Sequence, residues 1–260
     1  MGLFSSSDKP SGPARPVQLT KDPTGAPAVD LNKVREAGHT ELADFASKVG
    51  IQLSKRDLSG IRAQAVVLLD RSGSMRSDYQ NGAVEKLLTR ALGFALQIDA
   101  DGKIPVIPFD DSVYPAVEVN QGNFSTVVSS TLNTAHMGST NLAGALEKVK
   151  AMAEASDEPL YVLVLTDGNP DSKSAATKVV CELSSYAAFL KILALREVPY
   201  LQELDDLDGS KRLIDNVDAK PERGSGLDLL SCSDAEFADA MTDEWDSWVA
   251  AATQAGILKV

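Results

Sequence analysis

Cysteine, histidine and aromatic residues are scarce in this chain of 260 residues: there are two of the first, two of the second, and the third make up 5%. Cys181 and Cys232 have no paired spacing and no companion histidines. That argues against a disulfide framework or a zinc site and leaves two reduced thiols as the simplest account. No segment approaches the roughly 20 apolar residues of a membrane-spanning helix, and Met1 to Lys9 lack the basic start and apolar stretch of a signal peptide. Gly2 with Ser6 matches the spacing of an N-myristoylation pattern and nothing else in that stretch supports it. Positive charge is also short. With 25 basic against 37 acidic residues the net charge is −12, and such a field repels a phosphate backbone, which argues against nucleic-acid binding. An apolar fraction of 43% is ordinary for a soluble globular protein.

What the chain does have is a greasy stretch that ends in oxygen. Ala65 to Leu69 is continuously apolar, as expected of a strand buried on both faces of a parallel sheet, and it runs into Asp70-Arg71-Ser72-Gly73-Ser74. One carboxylate and two alternate hydroxyls offer three hard oxygens to one small volume, with Gly73 giving the turn backbone freedom. Such oxygens suit Mg²⁺, Mn²⁺ or Ca²⁺ rather than zinc. A plain polar turn is the alternative for these five residues alone. Two other segments reduce its weight. Leu160 to Leu165 is a second apolar run, ending in Thr166-Asp167-Gly168, and strand ends in an open parallel sheet converge on one edge. Between the two runs, Gly138-Ser139-Thr140-Asn141 precedes a helix-like segment, Leu142 to Glu154, whose N-cap could be Thr140 or Asn141.

Taken in chain order, Asp70, Ser72, Ser74, Thr140 and Asp167 resemble the complete metal-ion-dependent adhesion site of the von Willebrand factor A (vWA) domain, down to the Leu-Thr-Asp-Gly setting of the fifth residue. The resemblance covers about Ala63 to Ala255. It is greatest to the bacterial tellurium-resistance-associated, copine-like branch, on the Asp-Asn-Val around Asn216 and the Pro-Tyr-Leu around Tyr200. It implies an α/β, doubly wound and mostly parallel six-stranded sheet with one antiparallel edge strand and helices on both faces. It also implies that these five residues hold the metal directly or through water, and that the protein works in the cytoplasm within a stress-response complex.

The residues themselves predict a similar layout. Residues 1–27, rich in Ser, Pro and Gly, read as a flexible leader, and 28–60 as a short helical and extended preface. Asp30 to Val49 reads as one or two short helices, and Val17-Gln-Leu in the leader and Ile51-Gln-Leu-Ser-Lys in the preface as short extended pieces leading to the domain. Residues 61–260 form the main domain, with strands and helices alternating from Ala63. Strands are expected at Ala63 to Leu69, Lys103 to Phe109, Val113 to Val119 as an edge strand, Leu160 to Leu165, Phe189 to Leu195 and Lys211 to Val217. Helices are expected at Gly82 to Ile98, Phe124 to Leu132, Leu142 to Glu154, Asp171 to Tyr186, Tyr200 to Asp206 and Asp234 to Ala255. The acidic runs Leu201 to Asp208 and Ser233 to Asp246 read as solvated helix faces, and Asp110-Asp111 as a solvated turn.

Two carboxylates and three hydroxyls leave a Mg²⁺ ion short of protein ligands, so an Asp or Glu carboxylate from a partner protein would complete its shell. The expectation is therefore a binding module and not an enzyme. The rival is a Mg²⁺-dependent phosphatase using Asp70, but Ser72 stands where its second acid is normally placed. There is no Gly-rich phosphate loop with a lysine, and His39 and His136 read as surface or capping residues. A third reading is a structural module whose cation only stiffens the loops. Sequence says nothing of the oligomeric state.

Overall fold

The computed structural model describes residues 9–260. The myristoylation-like pattern and the start of the leader lie outside the described residues. In chain order the elements are β1 (Val17–Gln18), α1 (Leu31–Glu36), α2 (Thr40–Lys55), β2 (Gln64–Asp70), a 3₁₀ turn (Gly73–Met75), α3 (Arg76–Gln80), α4 (Ala83–Ile98), β3 (Lys103–Phe109), β4 (Val117–Asn120), α5 (Leu142–Ala155), β5 (Leu160–Thr166), α6 (Lys173–Leu183), β6 (Ala188–Ala194), α7 (Pro199–Asp205), β7 (Val217–Lys220), α8 (Asp234–Thr242), α9 (Trp245–Gln254) and β8 (Leu258–Lys259). The main sheet has six strands in the order β4-β3-β2-β5-β6-β7, all parallel except the edge strand β4.

The apolar runs become the central strands because both of their faces are covered. Within β2, Val67 and Leu69 pack under α2, α4, α8 and α9, while Val66 and Leu68 face α5, α6 and α7. Each such side chain contributes about 1.5–3 kcal/mol by leaving water. Helix α2 lies on α4 at close range because Gly93 has no side chain: a Cβ there would stand 2.5 Å from the Phe45 ring. An aromatic group of Phe94, Tyr161, Phe189, Trp245 and Trp248 fills the same layer, with Tyr161 and Trp245 edge to face at 4.9 Å. Both tryptophans are buried.

The sixth strand is β7 (Val217–Lys220) rather than Lys211 to Val217. Its Asp218 and Lys220 are buried and ion-paired, so a covered edge strand carries the polarity of a surface one. The expected helix Asp234 to Ala255 is two helices, broken at Glu244, whose φ is +57°. Ile51-Gln-Leu is the last turn of α2, and the expected helix Phe124 to Leu132 is a short π-helical turn at Val128–Leu132. Asp110 is fully buried against Arg71, not solvated.

Residues 9–27, which composition marks as lacking fixed structure, are held by backbone hydrogen bonds. β1 pairs in parallel with β8, Ala14 N–H donates to Ser185 O, and Asp22 N–H to Gly60 O. Arg15 adds donors to Ser156 O and the Asp157 carboxylate. The segment forms a strap across the edge where the parallel strands begin.

Candidate metal centre

Parallel pairing brings the ends of three strands to one rim. Asp70 at the end of β2 is in register with Phe109 of β3, and Leu69 with Leu165 of β5, so Asp70 and Thr166 finish side by side. The Thr166 hydroxyl donates to Asp70 Oδ2 at 2.5 Å and the Ser72 N–H to Asp70 Oδ1 at 2.7 Å. The Ser72 and Ser74 Oγ atoms are 3.1 Å apart, and Ser74 Oγ donates to Asp167 Oδ1 at 2.7 Å. The Tyr79 hydroxyl, from α3, donates to the Asp70 carbonyl at 3.1 Å and fixes the strand end beneath the turn. Asp70, Ser72 and Asp167 are buried and Ser74 is exposed, so the cluster opens on its serine side.

The third segment adjoins through its backbone. Gly73 N–H donates to Gly138 O at 2.9 Å, and Asn141 N–H to Asp110 O at 2.7 Å. Gly138 passes so close to the end of β3 that a Cβ would meet Asp111 Cγ at 2.8 Å. Asn141 is the N-cap of α5, accepting from Gly144 N–H, which frees Thr140 from that task. Asp171 then pins the loop, accepting from Ser139 Oγ at 2.7 Å and Thr140 N–H at 3.0 Å. Asp70, Ser72, Ser74 and Asp167 thus form one hydrogen-bonded chain. Buried Thr140 adjoins it, with no hydrogen bond from its side chain to the other four among the described residues.

The electrostatics of the two carboxylates differ. Burial raises the Asp70 carboxyl to about 6, against the opposing hydrogen bonds from Thr166 and Ser72. Those donors are neutral. Asp167 instead meets a full positive charge: Arg196, just beyond β6, pairs with its Oδ2 and reaches Asp78 Oδ2 of α3 at 2.9 Å. Sequence reading missed Arg196, Thr166 and Asp171 as functional neighbours. The only local signal was Thr166 beside Asp167 at a strand end.

The donor set fits a hard divalent cation. Asp70, Ser72, Ser74 and Asp167 offer only oxygen, with no sulfur or ring nitrogen among them, and the desolvated Asp70 carboxylate stands without a basic partner among its hydrogen bonds. Two further groups of close ionisable residues occur among the described residues, Asp110 with Asp111 and His136, and Asp205 with Asp218 and Glu244. Both already meet cationic side chains: Arg71 lies 3.3 Å from Asp110, and Lys191 and Lys220 pair with Asp218.

The chain is a vWA domain, with the doubly wound six-stranded sheet described above. More narrowly, the chain belongs to the vWA-TerF-like family, described as the vWA domain found in the TerF C terminus, whose model matches residues 62–258. An uncharacterized protein, YcbR, of Bacillus subtilis (strain 168) is 27% identical over 221 residues, covering 81% of this chain and 87% of that protein. Among solved structures, the manganese-loaded TRAP protein of Plasmodium vivax is similar at a TM-score of 0.49 and 16% identity, over 70% of this chain and 72% of that one. The ArnB paralog VWA2 of Sulfolobus acidocaldarius is similar at a TM-score of 0.38 and 20% identity, over 55% and 38% of the respective chains. No helix among the described residues is long and apolar enough to cross a membrane.

Proposed function

We propose that the chain is a divalent-metal-dependent protein-interaction module of the adhesion type. Asp70, Ser72, Ser74, Thr140 and Asp167 hold Mg²⁺ or Mn²⁺, directly or through water, and the ion takes a carboxylate from a partner's Asp or Glu. Domains of this family are typically metal-dependent interaction modules. The observation that carries the reading is the continuous run of oxygen ligands from Asp70 through Ser72 and Ser74 to Asp167 at one rim of the sheet.

The chemistry follows from charge. Two hydroxyls add oxygen without adding charge, so the ion keeps enough positive field to attract an outside anion. When bound, the cation would supply that Lewis-acidic contact point. Asp70 would anchor it, Ser72 and Ser74 would present neutral oxygens, and Asp167 would orient the Ser74 hydroxyl by accepting its hydrogen bond. Ca²⁺ accepts the same oxygens with looser geometry. The setting we propose, a cytoplasmic complex of the tellurium-resistance stress-response kind, rests on the sequence resemblance around Asn216 and Tyr200 alone.

Mn²⁺ titrated against the protein and followed by electron paramagnetic resonance tests the site. The wild type should bind one ion per chain, and Asp70→Ala should lose at least roughly tenfold in affinity. Equal binding by the two proteins would remove the proposal. Release of phosphate from a substrate panel, abolished by Asp70→Asn, would favour a hydrolase instead.

A further inference from the structure

Resting on that reading of the metal site, the geometry points to Arg196 as a tethered counter-cation that weakens the site's hold on its metal while keeping the bound metal attractive to a partner's anion. Arg196 sits on the loop after β6, its side chain 45% exposed, between two carboxylates whose side chains are 2% and 7% exposed, Asp167 and Asp78. One guanidinium nitrogen serves Asp167 Oδ2; the other lies 2.9 Å from Asp78 Oδ2 and 3.4 Å from Ser77 Oγ. These acids belong to different segments: Asp167 follows β5, and Asp78 lies in α3, just beyond the serine turn.

Arg196 thus brings one positive charge to two buried carboxylates. Its placement matters through charge. Asp167 Oδ1 accepts from Ser74 Oγ while Oδ2 is taken by Arg196, so the carboxylate nearest the exposed serine is already neutralised from behind. A divalent cation set beside Ser72 and Ser74 then feels the full charge of Asp70 and only a reduced one from Asp167. Weaker total negative charge lowers metal affinity, and it leaves more of the ion's field unspent for an incoming carboxylate. Affinity for the metal and affinity for the anion are therefore set against each other by one side chain. The same clamp ties the serine-turn segment to the end of β5, so Arg196 is a positioning residue as well as an electrostatic one.

The test compares wild type, Arg196→Gln and Arg196→Lys, with Mn²⁺ as the metal probe and acetate as the anion probe. Free Mn²⁺ is counted by electron paramagnetic resonance with and without acetate, and circular dichroism checks the fold. Arg196→Gln should bind Mn²⁺ roughly tenfold tighter than wild type, the scale expected when one unit charge is lost a few ångströms from the ion. Acetate should tighten Mn²⁺ retention in wild type by reciprocal coupling, and do so at least roughly threefold less in Arg196→Gln. Arg196→Lys, which keeps the charge, should stay near wild type in both. A purely structural arginine would give the opposite sign, with metal and anion binding both weakened in Arg196→Gln. That result, unchanged Mn²⁺ binding, or an Arg196→Lys protein that behaves like Arg196→Gln would overturn the inference. If Arg196→Gln does not fold, Arg196→Met, which also removes the charge, takes its place with the same expectations. A wild type that binds no Mn²⁺ would instead sink the metal-site reading itself.

Discussion

Replacing Asp70 by Asn should make the metal-free protein more stable and the metal-loaded protein comparatively less so. Asp70 titrates at about 6 in the fold, chiefly because burial penalises its charged form, against 3.8 for an ordinary Asp. Since the folded value is the higher one, the fold is favoured where the carboxyl is protonated and loses stability as pH rises from about 4 through 6. Above that range the loss is about 3 kcal/mol. Asn carries no charge and can keep both contacts, its oxygen accepting from Ser72 N–H and its amide donating to a reoriented Thr166 hydroxyl. In excess chelator at pH 8, Asp70→Asn should therefore melt roughly 5–10 °C above wild type, and at pH 4 the gap should close. Magnesium at about a hundred times its dissociation constant should raise wild type by about 2.7 kcal/mol and the variant by far less. Thermal melts at two pH values, each with chelator and with Mg²⁺, make the complete assay. A variant less stable than wild type in chelator at pH 8, or one that gains as much from Mg²⁺, would refute the account of Asp70 as a buried charge awaiting a cation.

Two other expectations concern the frame. Asp205, pushed up to about 7 by burial and by the nearby charges of Asp218 and Glu244, also destabilises the fold as pH rises between about 4 and 7. Solvent at its half-buried position screens the effect, so Asp205→Asn should stabilise by about 2 kcal/mol at pH 8 and by little at pH 4 in urea unfolding; equal gains at both pH values would contradict this. Trp245→Ala removes the ring packed edge to face on Tyr161 and near Phe94, and should cost about 3–5 kcal/mol in the same measurement. A loss under 1 kcal/mol would mean the aromatic layer does not anchor α9.

The sheet was legible wherever strands are apolar on both faces. Ala65 to Leu69 and Leu160 to Leu165 announce themselves because nothing but a covered central strand tolerates such runs. β7 does not announce itself, since Asp218 and Lys220 are buried polar residues whose partners Lys191 and Asp243 lie far away in sequence. The break between α8 and α9 is equally silent: Phe237, Met241, Trp245 and Trp248 keep helical spacing straight through it. At the rim, the gathering of oxygens from Asp70, Ser72, Ser74 and Asp167 could be read from local spacing and their strand-end setting. Arg196 could not, because an ion pair with Asp167 and Asp78 leaves no periodic trace in the chain. Asp110 was misread for the same reason, its neutralising partner Arg71 being 39 positions away.

The strap and the oxygen cluster lie at opposite ends of the central strands, separated by the seven residues of β2, or roughly 20 Å. Near the strap, β1 pairs with β8, which ends one residue before Val260, so both ends of the described chain emerge on that side. The two ends of the sheet thus differ, with the strap at one and the oxygen cluster at the other. A tag joined behind Val260 would start from the strap side of the sheet, away from the oxygen cluster.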